Sequence, residues 1–271
     1  MEIFSGCILA SDYDGTLAQS DGKIGEEVRI AIKYFIENGG YFTVCTGRTK
    51  QGFHAYDESI INAPVLLGNG AMAYHYGTKE IAFLNCINEK SIDEFNKIKN
   101  GFSDIGIEFY SANFTSKVIN PDERNRRHFD FQFIEYEVVD KIKKDDFPLV
   151  KIMVSVGRER CDDFQRFLDS LDLKTIKYIP QYGDFIEIIS TETDKGVGLL
   201  KLADVLGVEK NHIYSIGDGA NDITMLKAAS VSFVPENGCD EAKQAGTFTV
   251  RSNNDGAVAD AIYKIENLLK T

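Results

Sequence analysis

Several features that define whole classes of protein are missing from this sequence. No apolar run reaches the ~18 residues that a membrane-spanning helix needs. The first twelve residues, MEIFSGCILASD, lack the basic segment and the long apolar stretch of a secretion signal. The five cysteines are odd in number and include no CxxC pair, which argues against a zinc ribbon or a thioredoxin-like site. We therefore expect a protein without membrane spans in the reducing cytoplasm.

Positive charge is also scarce. The 30 Lys and Arg residues face 42 Asp and Glu residues, which gives a formal net charge of -12. Such an acidic protein is not expected to bind nucleic acid or an anionic membrane nonspecifically, because both are polyanions. A small anion can still bind where a cation or aimed N–H groups reverse the local field. The basic cluster formed by Arg124, Arg126, Arg127 and His128 is expected to be a solvated patch on a loop, with contact to an anionic substrate as the alternative.

Two patterns of secondary structure divide the 271 residues. In the outer parts, apolar runs too short for helices alternate with amphipathic helical stripes. This alternation predicts a buried parallel sheet flanked by helices on both faces, an α/β fold. The predicted strands are residues 7–10, 41–45, 64–67, 213–216 and 230–234, and the main predicted helices are residues 28–36, 199–206 and 258–269.

The middle of the chain is richer in aromatic residues and in period-2 segments, which are typical of antiparallel strands. One helical stripe, with Phe164, Phe167, Leu168 and Leu171, lies between them. The predicted strands are residues 105–110, 131–137, 150–156, 175–179 and 185–189, with a turn at Tyr182, Gly183 and Asp184. We therefore predict a catalytic core formed by residues 1–81 and 188–271 and an inserted α+β domain formed by residues 82–187.

Polar residues follow four strand-like runs of the predicted core. In open α/β sheets, ligands bind outside the carboxyl ends of the strands, so these side chains are expected to converge on one edge. They are Asp12 and Asp14, Thr46, Asn69, and the group Asp218, Asn221 and Asp222.

Several carboxylates brought together are costly unless a cation neutralises them. Oxygen ligands without His or Cys favour a hard ion, and Mg²⁺ is the usual choice with phosphates. One Asp of the first pair could attack as a nucleophile, and the other could act as the general acid and base. Thr46 and backbone N–H groups could hold phosphoryl oxygens. Lys195, at a predicted helix start, adds positive charge and could restrain the nucleophile.

Four segments resemble, in order, the signatures of haloacid dehalogenase-like (HAD) phosphatases. These segments are DYDGTL at residues 12–17, CTGR around Thr46, TDKG around Lys195, and GDGAND at residues 217–222. The insertion between the second and third segments resembles the type IIB cap of the Cof-like branch, and Gly68-Asn69-Gly70-Ala71 is similar to its NGA segment. The resemblance implies a Rossmann-like parallel-sheet core with an inserted α+β cap domain.

The resemblance also implies residue roles. Asp12 would be the nucleophile and a metal ligand, and Asp14 the general acid and base, with its backbone carbonyl on the metal. The expected catalytic residues are Asp12, Asp14, Thr46 and Lys195. The expected Mg²⁺ ligands are Asp12, Asp14, Asp218 and Asp222. The expected substrate-binding residues are Gly47, Arg48, Asn69 and Asn221, of which Asn221 would orient Lys195 or the phosphate.

The predicted function is a Mg²⁺-dependent phosphatase that transfers phosphoryl from a small phosphorylated metabolite to Asp12 and then to water. Sugar phosphates, nucleotides and cofactor phosphates all remain open as substrates. In residues 234–238, VPENG replaces the commoner AMGNA type of segment and places Glu236 near the entrance of the site, which bears on substrate preference. The alternatives are a phosphomutase and a catalytically silent phosphometabolite-binding protein. The absence of membrane spans argues against a P-type pump, and the chain length and insertion argue against a response-regulator receiver.

Overall fold

A computed structural model describes residues 2–179 and 183–270 of the chain. Its strands are β1 (Ile8–Ser11), β2 (Tyr41–Val44), β3 (Val65–Leu67), β4 (Met72–His75), β5 (Glu80–Leu84), β6 (Gly106–Ser111), β7 (Ser116–Ile119), β8 (Glu137–Val138), β9 (Leu149–Ser155), β10 (Ile176–Ile179), β11 (Phe185–Ser190), β12 (Ile213–Ile216), β13 (Val231–Pro235) and β14 (Phe248–Val250). Its helices are α1 (Glu26–Glu37), α2 (Ile92–Gly101), α3 (Glu123–Gln132), α4 (Cys161–Ser170), α5 (Lys195–Leu206), α6 (Ile223–Ala228), α7 (Asp240–Ala245) and α8 (Ala257–Leu269).

The chain folds into two compact units. The first, here called the core unit, contains the residues up to Gly47, Ala55–Phe83 and the residues from Asp194 onward. The second, here called the insert unit, contains Arg48–His54 and Leu84–Thr193. The predicted boundaries are residues 81 and 188, whereas the two units divide after Phe83 and after Thr193, and no pattern in the sequence indicated that residues 48–54 group with the insertion.

The core unit is built around a parallel sheet with the strand order β14-β13-β12-β1-β2. The central strand β1 pairs with β12 on one side and β2 on the other. All four residues of β1 are buried, as expected for a parallel strand that is covered on both faces. Leu199 and Leu202 of α5 belong to the same apolar cluster as Ile8 and Ala10 of β1. This packing fixes the start of α5 relative to the end of β1.

The third predicted strand pairs differently from the prediction. β3 runs antiparallel to β4 in a separate sheet of order β3-β4-β5, and a single parallel bridge joins Leu66 to Cys45 beside β2. The reason is a tight turn at Gly68, Asn69 and Gly70, whose φ angles of 58°, 57° and 88° reverse the chain. β4, β5 and β14 were not predicted from the sequence, because strands of four, five and three residues are too short for an apolar period to stand out.

The insert unit contains a sheet with the order β10-β11-β9-β6-β7-β8, in which only the β7–β8 pairing is parallel among the pairings of the described residues. Helices α2 and α4 contribute Phe95, Ile98, Phe164 and Leu168 to the apolar core of this unit. The predicted hairpin turn falls partly outside the described residues, because Tyr182 is not among them.

The predicted strand at residues 131–137 is wrong. The segment begins inside helix α3, and only Glu137–Val138 forms a strand. A capping box starts this helix: the Asp122 carboxylate accepts the N–H groups of Arg124 and Asn125, and the Asn125 side chain accepts the N–H of Asp122. The alternating aromatic residues that suggested a strand lie at the end of the helix and in the segment after it.

The basic cluster consequently lies on α3 and not on a loop. Arg124 is paired with the Asp122 carboxylate at 2.6 Å and also donates to the Ser155 hydroxyl at 2.8 Å. His128 Nδ1 is 2.8 Å from the buried carboxylate of Glu108. These internal contacts favour a role of Arg124 and His128 in holding α3 on the sheet of the insert unit. Among the helices of the described residues, none is both long enough and apolar enough to cross a membrane.

Candidate active site

Two acidic loops meet because their strands are parallel neighbours. Asp12 follows β1 directly and Asp218 follows β12 closely, and the two strands are in register at Ser11 and Ile216. The N–H of Asp12 donates to the carbonyl of Ile216 at 2.9 Å, which extends the pairing into the loop. One carboxylate oxygen each of Asp12, Asp218 and Asp222 lies within 4.8 Å of the other two. The fold thus brings together three of the four predicted metal ligands.

Lys195 joins this cluster from the first position of α5. Asp194 caps the helix by accepting the N–H of Val197 at 2.9 Å, so the helix begins with the lysine side chain directed at the carboxylates. The Nζ atom of Lys195 lies 2.5 Å from Asp12 Oδ1 and 2.6 Å from Asp222 Oδ1, and the residue is fully buried. Burial alone would lower the pKa of this ammonium group, but the two carboxylates outweigh it and hold the pKa above its usual value.

The negative charge of the cluster exceeds what Lys195 can balance. Burial raises the pKa of Asp12 well above its ordinary value, and repulsion from Asp222 and Asp218 adds to this effect despite the attraction of Lys195. Burial also raises the pKa of Asp218, together with repulsion from Asp222. Three carboxylates and one ammonium group leave two excess negative charges when all are ionised. An all-oxygen donor set with this excess charge fits a hard divalent cation.

Thr16 supports the acidic cluster, although no role was predicted for it from the sequence. Its hydroxyl donates to Asp218 Oδ1 at 2.6 Å. Gly15 lies against the same carboxylate: a Cβ at this position would be 2.7 Å from Asp218 Oδ2, and its φ is +81°. The sequence held an indication of this contact, because a glycine and a hydroxyl residue directly follow the pair Asp12 and Asp14.

The predicted phosphate-binding residues of the core unit also meet. The N–H of Asn69 donates to the carbonyl of Thr46 at 2.9 Å, and both side chains are buried. Asn221 Nδ2 lies 3.3 Å from Asn69 Oδ1. A Cβ on Gly47 would be 3.2 Å from the same Asn69 oxygen. Thr46, Asn69 and Asn221, which were predicted to converge because they follow strands, therefore lie together, with Gly47 beside Asn69.

Two further predicted site residues lie outside these two groups of side chains. The side chain of Asp14 is exposed, and its carboxylate is not part of the cluster of three. Its proposed contact to a metal through the backbone carbonyl stays a prediction. Arg48 belongs to the insert unit. Its role in substrate binding therefore also stays a prediction.

Close backbone packing at Gly70 gives a first test of the site. A Cβ here would be 2.6 Å from the Asp194 carbonyl oxygen and 3.1 Å from Gly198 Cα, and φ is +88°. We expect Gly70→Ala to displace the start of α5, to move Lys195, and to lower both stability and turnover. Gly22→Ala is the matched control, because φ is +82° there but nothing lies within 4 Å of the added Cβ. It should carry only the backbone strain, about 1–2 kcal/mol.

Measurements of thermal unfolding and turnover for the two variants separate the effect of backbone strain from the effect of the clash between the added Cβ and the start of α5. Gly22→Ala should unfold at a slightly lower temperature and keep its turnover, whereas Gly70→Ala should lose more of both. Equal effects of the two substitutions would show that the contact with the start of α5 is unimportant.

Comparison with known proteins identifies the family. Residues 9–262 match the sequence profile of the haloacid dehalogenase-like hydrolases. The chain belongs to this family, and the prediction of an enzyme of this class is confirmed. Its aligned relatives include the 5-amino-6-(5-phospho-D-ribitylamino)uracil phosphatases YwtE and YitU of Bacillus subtilis. YwtE is 28% identical, with 96% of this chain and 97% of the relative covered; YitU is 24% identical, with 93% and 94% covered.

Solved structures confirm the predicted fold class. The HAD subclass IIB sugar phosphatase BT4131 superposes with a TM-score of 0.81 at 18% identity, covering 96% of this chain and 99% of that one. TM0651 from Thermotoga maritima superposes with a TM-score of 0.79 at 20% identity, covering 95% and 97%. The α/β core with an inserted α+β cap is therefore the fold of this chain.

Proposed function

We propose that this HAD-family protein is a Mg²⁺-dependent phosphatase that acts through an aspartyl-phosphate on Asp12. The observation that carries the proposal is the buried contact of Lys195 with Asp12 and Asp222, beside the carboxylate of Asp218. A carboxylate held by a fixed ammonium group, next to an oxygen-only cation site, is suited to attack a phosphoryl group.

The proposed reaction has two steps. A carboxylate oxygen of Asp12 forms a bond to phosphorus while the bond between phosphorus and the leaving oxygen breaks, and Asp14 gives that oxygen a proton. Asp14 then takes a proton from water as the water oxygen attacks phosphorus and the bond to Asp12 breaks, which releases inorganic phosphate. Lys195 neutralises charge on Asp12 and the phosphoryl group throughout. Mg²⁺, held by Asp12, Asp218 and Asp222, would supply neutralisation of the phosphoryl oxygens.

The exposure of Asp14 supports its proposed role as the acid and base. A group that exchanges protons with a leaving oxygen and then with water must be accessible to both. Asp12, in contrast, is buried and paired, as a nucleophile held in one orientation should be. The two aspartates of one loop thus have environments suited to different tasks.

The proposed substrate is a small phosphorylated metabolite. The named relatives act on a phosphorylated ribitylaminouracil, and a structural neighbour is a sugar phosphatase. Sugar phosphates, nucleotides and cofactor phosphates are accordingly the classes to be tested. The net charge of -12 argues against a nucleic acid partner. A location in the cytoplasm, where such metabolites occur, is part of the proposal.

Release of inorganic phosphate from a panel of these compounds tests the proposal. We expect turnover with Mg²⁺, loss of turnover when EDTA removes the metal, and recovery when excess Mg²⁺ is added. Isotope-labelled phosphoryl that stays on the organic product would instead identify a phosphomutase. Tight Mg²⁺-dependent binding of a compound without product release would identify a phosphometabolite-binding protein.

A further inference from the structure

The loop after β13 contacts both loops that carry the clustered carboxylates. This loop consists of residues 236–239. Within it, Asn237 Nδ2 donates to the carbonyl of Gly15 at 2.8 Å, and the N–H of Cys239 donates to the carbonyl of Asp218 at 2.9 Å. The turn after β1 and the loop after β12 are therefore tied to the same short segment.

A second asparagine continues this network. Asn253 is buried, and its Nδ2 donates to the carbonyl of Ala18 at 2.8 Å. Its backbone N–H donates to Asn237 Oδ1 at 2.9 Å. The two asparagines thus form a continuous chain of hydrogen bonds that joins Gly15 to Ala18, both in the turn that begins at Asp12. Both the donor and the acceptor of the Asn237 amide are used in it.

The turn needs such support because of the charges it faces. Asp12 at its start lies within 4.8 Å of the carboxylates of Asp218 and Asp222, and like charges at this separation repel. Gly15 has no side chain with which to anchor the turn. Thr16 holds it to Asp218 through one hydroxyl only. Hydrogen bonds to the carbonyls of the turn oppose its outward movement without adding any group to the site itself.

We propose that Asn237 and Asn253 are positioning residues, which hold the turn carrying Asp12 against the loop carrying Asp218 at the separation that a divalent cation requires. This inference rests on the proposed metal-dependent function. Neither side chain contacts the reacting groups, and each acts through a backbone carbonyl, of Gly15 or of Ala18. Groups that hydrogen-bond metal ligands commonly tune metal affinity, and these asparagines would act one step further out, through the backbone of the turn.

Because Asn237 is exposed, its role in metal binding can be tested separately from any role in folding. Substitution of an exposed residue usually changes stability little, so an effect on metal binding is not readily attributed to unfolding. Asn254 provides a matched control, because it is also exposed and also makes two side-chain hydrogen bonds, both to Ser20. Ser20 lies beyond the turn that is closed by the contact to Ala18.

The experiment is calorimetric titration of Mg²⁺ into the full-length wild type, Asn237→Ala, Asn237→Leu and Asn254→Ala. The leucine variant keeps most of the side-chain volume but removes the donor and the acceptor. We expect both Asn237 variants to bind Mg²⁺ about three- to tenfold more weakly, as the loss of one or two hydrogen bonds implies, with melting temperatures in EDTA close to that of the wild type. Asn254→Ala should stay within about twofold of the wild type.

Kinetics give a second readout that a merely structural role would not change in the same way. In the Asn237 variants the Mg²⁺ concentration for half-maximal phosphate release should rise by the same factor, while kcat at saturating Mg²⁺ stays close to that of the wild type. Asn253→Ala should show the same pattern, with a lower melting temperature because the residue is buried.

Three other outcomes would contradict the positioning role or the proposed function. If the wild type binds Mg²⁺ and the Asn237 variants bind it equally tightly, the positioning role is overturned and the proposed function stands. The same conclusion follows if those variants only melt at a lower temperature. If the wild type neither binds Mg²⁺ nor releases phosphate, the proposed function fails and this inference fails with it.

Discussion

Replacing Asp12 with asparagine should abolish turnover and leave the fold intact. The substitution keeps the shape of the side chain but removes the carboxylate oxygen that is proposed to attack phosphorus. Loss of a residue that acts as the nucleophile costs a large factor, so we expect kcat to fall by at least ~10³-fold. Phosphate release in saturating Mg²⁺ measures the fall.

The stability of the same variant follows from the electrostatics. Because the pKa of Asp12 is raised in the folded protein, its ionised form is disfavoured there, and a neutral side chain removes repulsion from Asp218 and Asp222. We therefore expect the melting temperature without metal to be unchanged or higher. Asp21→Asn is the control, because this carboxylate is exposed on the surface, where it pairs with Lys23. Wild-type turnover by Asp12→Asn would show that another group is the nucleophile.

Replacing Lys195 with methionine should have the largest effect on stability. Methionine has a similar length but no charge, so the carboxylates of Asp12 and Asp222 lose the ammonium group that contacts both. Removing one partner of a buried ion pair typically costs 3–5 kcal/mol. We expect a loss of about this size in metal-free buffer, together with a fall in kcat of about 10²–10³-fold, as found for other groups that stabilise developing charge.

Mg²⁺ should restore part of that stability. A cation that binds the folded state stabilises it, by about 2.7 kcal/mol at a concentration one hundred times the dissociation constant. Denaturant unfolding of Lys195→Met with and without Mg²⁺ measures both effects, and Lys227→Met, at an exposed position of α6, should change stability by no more than about 0.5 kcal/mol. A variant as stable as the wild type in EDTA would mean that the cluster does not need the lysine.

Short motifs with strong chemical requirements were predictable from the sequence. Asp12, Asp218 and Asp222 follow strands whose apolar composition predicts a buried parallel sheet, and the carboxyl ends of parallel neighbours meet. Lys195 was predictable as a helix start after Thr193 and Asp194, and the cap hydrogen bond from Val197 to Asp194 is present. In these places the local pattern and the tertiary contact favour the same structure.

Elements with weak or conflicting patterns were not predictable. Residues 131–137 alternate apolar and polar side chains, yet the capping box at Asp122 and Asn125 starts a helix that continues into them. The strand at residues 64–67 has the apolar composition of a parallel strand, yet the turn at Asn69 folds it back onto β4. In both cases a local hydrogen-bonding or backbone preference outweighed the period of the apolar residues.

The sequence by itself determined the fold class, the order of the four motifs, and the residue types available for the chemistry. Only the tertiary structure decided that Thr16 donates to Asp218, that Asp14 is exposed while Asp12 is buried, and that Asn237 and Asn253 donate hydrogen bonds to the turn after Asp12. The physical reason is sequence separation. Asn237 contacts Gly15 across 222 residues, and such a pairing depends on strand order and loop geometry, for which a single sequence holds no local pattern.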